Sequence, residues 1–295
     1  MRSVNDIVMS RQQKDGSSAF GFGQQEICSW SVVMAAVAYW CEVVTASYDP
    51  HLPFADAVLQ SILIGGAFGV AAWAMIFARF GRLVPDRPAP THLLIATLAV
   101  GVLCAVPVRP TTALALAALG GWLRLAPGAT RSGRQAGLLL LALSLTWASS
   151  CLAPLHVIVG RLDAHAVAWL SNLAGIAVTP ISNTAMTGDF GVEILAGCTS
   201  SWQLPDVLLA FVVVVLYRRG ECQWRDLPFL LAALVASIVL TELRLSLMVR
   251  NEADFLWWHD GNGSTIYSLA ALASAITFPL LATLRTNPVP ATQPA

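Results

Sequence analysis

Apolar residues along this chain gather in long runs, and the runs have the length of membrane spans. A helix rises about 1.5 Å per residue, so crossing a hydrocarbon core takes about 20 apolar residues, with a range of roughly 17–25. Runs of this kind occupy 27–47, 56–78, 91–107, 111–126, 136–158, 199–217, 227–248 and 264–284. They predict an all-α fold, a multi-pass integral membrane bundle of about eight transmembrane helices. The 111–126 run is short and interrupted by Gly120-Gly121, so whether it forms a full span stays open.

The remaining segments fill in the domain organisation. Residues 1–26 are polar and read as a flexible cytoplasmic tail. The run at 27–47 is too long for a signal-peptide core, and Tyr48-Asp49-Pro50-His51 supplies no small-residue cleavage site, so it reads as a retained anchor. Residues 27–284 form a single transmembrane domain with a catalytic core at about 190–284, and 285–295 read as a disordered tail. The stretch 159–198, with Pro180, Asn183 and Gly188, is too polar to span throughout. Its first half carries Leu162, Ala166, Leu170 and Leu173 at helical spacing and reads as an amphipathic interfacial helix.

Composition agrees with the pattern. The chain is 56% hydrophobic and 12% charged, about half the charged share of an ordinary soluble domain. Its net charge is zero and no basic stripe alternates with aromatics, so nucleic-acid binding has no electrostatic support. Basic residues orient the bundle. With the N-terminus inside, Arg2, Arg11, Lys14, Arg79, Arg82, Arg87, Arg124, Arg131, Arg134, Arg218, Arg219, Arg225 and Arg285 all fall on the cytoplasmic side. That is thirteen of the seventeen Lys and Arg residues; Arg109, Arg161, Arg244 and Arg250 are the exceptions.

This orientation brings three chemically able side chains to one extracytoplasmic level. Cys198 opens the sixth run, Arg244 lies near the outer end of the seventh, and His259 sits in the short loop before the eighth. Thr199, Ser200 and Ser201 are good N-cap residues, so Cys198 is expected where a helix dipole favours a thiolate. An imidazole in reach would serve as base and then as acid, and a guanidinium would hold an oxyanion or carboxylate. Each residue also has a plain structural reading. Cys198 fits a buried thiol or a disulfide with Cys151, Arg244 a snorkelling charge, and His259 an aromatic belt with Trp257 and Trp258. Glu242, two residues from Arg244, lies on another helix face and is a poor local partner for it. His51, His156 and His165 show no zinc-ligand spacing, and no cofactor or metal is implied.

The run Glu193-Ile-Leu-Ala-Gly-Cys198-Thr-Ser-Ser, then Leu240-Thr-Glu-Leu-Arg244-Leu-Ser-Leu-Met, then Phe255-Leu-Trp-Trp-His259-Asp-Gly-Asn-Gly resembles the exosortase/archaeosortase family. These are membrane-embedded, sortase-like cysteine proteases or transpeptidases. The resemblance covers about residues 190–284; the first five runs match only as hydrophobic segments. Ser200 stands where the family usually has Gly, Trp202 where an Arg often follows, and Thr241 where an Asn is usual. Carried over residue by residue, the resemblance implies Cys198 as nucleophile, His259 as proton shuttle and Arg244 as charge stabiliser. It further implies a prokaryotic inner membrane, and secreted protein substrates with a C-terminal motif, a transmembrane helix and a basic cluster. Two other classes stay open on the residues alone: a small-solute transporter, and a non-catalytic assembly factor for envelope or polysaccharide export.

Overall fold

The computed structural model describes residues 24–47, 66–79, 82–83, 90–105, 109–151 and 153–285. The expected tails fall almost wholly outside these residues, as does the first part of the 56–78 run. Within them the chain is mostly helical. The first five helices are α1 (Gln24–Ser47), α2 (Ala67–Phe77), α3 (Pro90–Ala105), α4 (Arg109–Leu125) and α5 (Arg131–Cys151). They are followed by α6 (Ala153–Leu173), α7 (Leu204–Arg219), α8 (Leu227–Met248), α9 (Glu252–His259) and α10 (Asn262–Leu284). Two helical stretches, Trp224–Met248 and Asn262–Leu284, are long and apolar enough to cross a membrane, at 25 and 23 residues.

Packing explains several of the boundaries. Gly120 does not interrupt α4. A Cβ there would lie 2.7 Å from the carbonyl oxygen of Gly137, and one at Gly137 would lie 2.6 Å from that of Gly120. The paired glycines let the α4 and α5 backbones approach closely, which a side chain at either position would prevent. α7 is buried on nearly every side, from Val207 to Leu216, and packs against α2, α5, α8 and α10 at the centre of the bundle. Its Gly220 cap adopts the left-handed conformation at φ 79°, which a glycine enters without Cβ strain.

Two helices wear their polarity inverted. α6 buries His156, Asp163 and Ser171 while Leu155, Ile158, Leu162, Trp169 and Leu173 stand exposed. α8 buries Ser237, Thr241 and Glu242 and exposes Leu231, Val235, Val239 and Leu243.

The segment 159–198 is more ordered than its polarity suggests. α6 is one continuous helix from Ala153 to Leu173, so the helix expected from Leu162 starts within a longer element. Asn172 then pins the turn, donating to and accepting from Val178 at 3.0 Å in each bond. Three short antiparallel strands follow, β1 (Thr179–Ile181), β2 (Thr184–Thr187) and β3 (Phe190–Glu193), in the order β1-β2-β3. Gly188 at φ 59° makes the second tight turn possible. Val178, Ala185, Val192 and Ile194 pack this sheet onto α6 and onto Leu245, Met248 and Val249 at the end of α8. The Thr187 hydroxyl donates to the Val249 carbonyl at 2.8 Å, locking the sheet to that helix end.

Candidate functional site

β3 delivers the chain to a 3₁₀ turn, Ala196–Cys198, where the Cys198 N–H donates to the Leu195 carbonyl at 2.8 Å. α6 can pass close behind because it carries Gly160; a Cβ there would sit 3.0 Å from the Ile194 carbonyl oxygen. Cys198 is a half-buried thiol in no disulfide.

The expected helix start at Cys198 is corrected. α7 begins at Leu204, with Gln203 as its cap residue and Pro205 in its first turn, where a missing N–H costs nothing. Thr199, Ser200 and Ser201 cap no helix because buried partners claim their hydroxyls. The Ser200 backbone N–H and hydroxyl both donate to the Asp163 carboxylate, at 2.9 and 2.7 Å. Thr199 Oγ1 donates to the Ala196 carbonyl at 2.8 Å, and the Thr199 and Ser201 hydroxyls lie 3.4 and 3.3 Å from His156 Nδ1. The helix-dipole argument for a Cys198 thiolate therefore loses its basis.

Asp163 meets a second buried acid. Glu242 on α8 faces it at hydrogen-bonding range, and Glu242 Oε2 is buried with no N–H or O–H donor aimed at it. Glu242 therefore pairs across to α6 and not with Arg244.

Arg244 is half-buried in the last turns of α8. Its Nε donates to the Trp258 carbonyl at 3.1 Å, and its guanidinium carbon stands 4.6 Å from the centre of the Tyr267 ring. The Tyr267 hydroxyl donates to Gln203 Oε1 at 2.9 Å and lies 2.9 Å from the Thr241 hydroxyl, so one aromatic ties α7, α8 and α10 together. Among the described residues, no carboxylate pairs with Arg244.

His259 ends helix α9 and does not sit in an irregular loop. Its ring stacks on Phe255 with centroids 5.0 Å apart, and its Nδ1 lies 2.8 Å from Asp260 Oδ1. With Nδ1 donating to that carboxylate, Nε2 is the nitrogen left to take a proton.

The three expected residues share an apolar cluster and its aromatic neighbours. Phe255 and Trp258 pack on the cluster that Cys198 packs on; Phe255 carries the His259 ring and Trp258 receives Arg244. No hydrogen bond joins the Cys198 thiol to the His259 ring among the described residues. The residues that sequence reasoning passed over are Asp163, His156, Glu242, Gln203 and Tyr267. Glu242 did carry a signal, as an acid within a largely apolar helix.

Among the described residues, no group of three or more His, Cys, Asp or Glu is placed to hold a metal ion. No protein-family model matches the chain, and neither a curated protein nor a solved structure matches it.

Proposed function

We propose that the chain is a membrane-embedded cysteine endopeptidase or transpeptidase that cleaves C-terminal sorting signals of secreted proteins. What supports this reading is that Cys198, Phe255 and Trp258 pack on one apolar cluster, while His259 stacks on Phe255 and Arg244 donates to the Trp258 carbonyl. In this reading about eight helices cross the prokaryotic inner membrane with the N-terminus inside, and the site faces the extracytoplasmic side. The inverted polarity of α6 and α8 and the partition of basic residues support that placement.

The chemistry balances without a cofactor. His259 Nε2 takes the thiol proton, and Cys198 Sγ attacks the scissile carbonyl carbon. The tetrahedral oxyanion forms beside the Arg244 guanidinium, which no carboxylate neutralises among the described residues. Collapse breaks the C–N bond, His259 returns the proton to the leaving amine, and a thioester on Cys198 remains. Water, or an acceptor amine or hydroxyl, then releases it. Asp260 holds the imidazole in the tautomer this sequence requires.

The test is co-expression with a tagged secreted protein that ends in a short motif, a hydrophobic helix and a basic cluster. Processing is followed by gel shift for the unaltered chain, Cys198→Ser and His259→Ala. Loss in both variants, with the precursor still co-purifying, is the expected result. Full processing by Cys198→Ser overturns the mechanism and leaves the assembly-factor reading.

A further inference from the structure

The end of the bundle opposite Cys198 holds a polar cavity of about 350 Å³ that the proposed reaction does not use. Arg124 at the end of α4, Arg131 and Arg134 in the first turn of α5, and Gly220 and Glu221 after α7 line it with Gln135. α8 alone, at 22 residues, separates the two ends by about 33 Å, close to one hydrocarbon thickness.

The cavity is built, and its charge is uncompensated. Gln135 Nε2 donates to the Gly220 carbonyl, fastening α5 to the end of α7. A Cβ at Gly220 would reach within 3.3 Å of Arg131 Nη2, so the left-handed glycine is also what leaves room for that guanidinium. Three arginines face a single acid, Glu221, whose Oε1 accepts from Gln223 at 2.6 Å. Among the described residues, none of the three arginines forms an ion pair. By contrast Arg219, beside the cavity, is neutralised by Asp226.

Placement makes the excess charge more telling. Arg131 and Arg134 occupy the first turn of α5, where the helix macrodipole is already positive and a basic side chain is unfavourable. Topology rules ask only that arginines lie on the cytoplasmic side, not that three converge on one cavity, where α5 presents its positive end and α4 and α7 their negative ones. An anion bound there would offset the arginine charge, and guanidinium forks match phosphate oxygens.

We propose that this cavity binds a phosphate group, presented by an anionic phospholipid of the cytoplasmic leaflet. The phosphate chemistry rests on the cavity alone; the choice of leaflet rests on the proposed orientation. Bilayers carry such headgroups at this depth, and basic pockets between helices are where proteins hold them.

The experiment uses the full-length protein in nanodiscs of phosphatidylcholine, with or without phosphatidylglycerol, and in detergent with inorganic phosphate. Lipid retained through detergent extraction is counted by mass spectrometry, and thermal stability is read in parallel. The unaltered chain should retain phosphatidylglycerol over phosphatidylcholine. Arg124→Gln and Arg131→Gln should each weaken that retention by about tenfold or more, the scale of one lost charge-assisted bond. Arg218→Gln, an arginine at the same end but outside the cavity, should change it little. Arg131→Lys keeps the charge but loses the fork, and covers the case in which Arg131→Gln fails to fold. Equal losses for Arg218→Gln and Arg131→Gln would overturn the site in favour of diffuse surface charge. Stabilisation by inorganic phosphate with no lipid preference would overturn the lipid assignment and leave a soluble phosphate site. No response to either probe overturns the proposal entirely.

Discussion

Asp163 grips Ser200 twice, accepting from its backbone N–H at 2.9 Å and from its hydroxyl at 2.7 Å, two residues beyond Cys198. All four polar atoms involved lie within buried residues. The contact fixes the chain just after the thiol, and Glu242 behind Asp163 carries the restraint on to α8. Arg244 lies on that same helix, so a carboxyl pair that touches neither Cys198 nor Arg244 sets the spacing between their supports.

Asp163→Ala leaves the Ser200 N–H buried without an acceptor and Glu242 without its partner. It should cost about 1–3 kcal/mol for the orphaned N–H alone, and substrate processing should fall with it. Ser200→Gly removes only the hydroxyl bond and keeps the N–H bond, at a cost of about 1 kcal/mol. Glycine is also the usual residue here in the family the sequence resembles, so processing should survive. Thermal unfolding in detergent, paired with the gel-shift assay, separates the two variants. If Ser200→Gly is as damaging as Asp163→Ala, the backbone grip is not what positions Cys198.

Tyr267 serves Arg244 through its ring and the bundle through its hydroxyl. Tyr267→Phe deletes the bonds to Gln203 and Thr241 but keeps the aromatic face under the guanidinium. Stability should drop by about 0.5–1.5 kcal/mol per bond, with processing largely kept. Tyr267→Ala removes the ring as well, and processing should fall toward the level of Arg244→Ala. Comparable processing by Tyr267→Phe and Tyr267→Ala would show that the cation–π contact does not position Arg244.

Asp260→Asn tests the orientation of His259. The amide oxygen accepts without a negative charge and its NH2 can donate to Nδ1 instead, so the preference for the Nδ1–H tautomer weakens. Asp260 is 72% exposed at its side chain, and water replaces part of the lost interaction. Processing should therefore fall, but by less than in His259→Ala. A normal rate in Asp260→Asn would leave the Phe255 stacking contact as the only orienting element.

The helices were legible because apolar runs of span length depend on nothing outside themselves, and α3, α4, α8 and α10 begin and end close to the runs that predict them. The pairing of residues across the fold was not legible. Ser200 reads as a helix cap, and its role changed only because Asp163 is folded against it; that is a tertiary contact overriding a local preference. The strands escaped because each has three or four residues, too short for alternation to register, and Asn183 and Gly188 read as polarity where they mark turns. Glu242 was set aside for lacking a partner on its own helix, and its partner lies on α6. Cys198, Arg244 and His259 stand out in the sequence because their motifs are local.

Cys198 and Cys222 should differ in labelling for two separable reasons. Burial, with Asp226 close by, pushes the Cys222 thiol up to about 11 from its ordinary value of 9.0. Little of it is thiolate at neutral pH, and the thiolate is the reactive form. The proposed orientation also puts Cys222 on the cytoplasmic side and Cys198 outside. In variants that keep one cysteine and carry Ser at the others, an impermeant maleimide on intact cells should label Cys198 and spare Cys222. Permeabilising the cells removes the topological barrier but not the chemical one, so Cys222 should stay slow at neutral pH and quicken as pH rises toward 11. Because its pKa is raised in the folded state, the stability it contributes is full below 9.0 and is lost as pH climbs from there to about 11. Rapid labelling of Cys222 in permeabilised cells at neutral pH would refute its burial. Labelling of Cys222 from outside intact cells would refute the orientation instead.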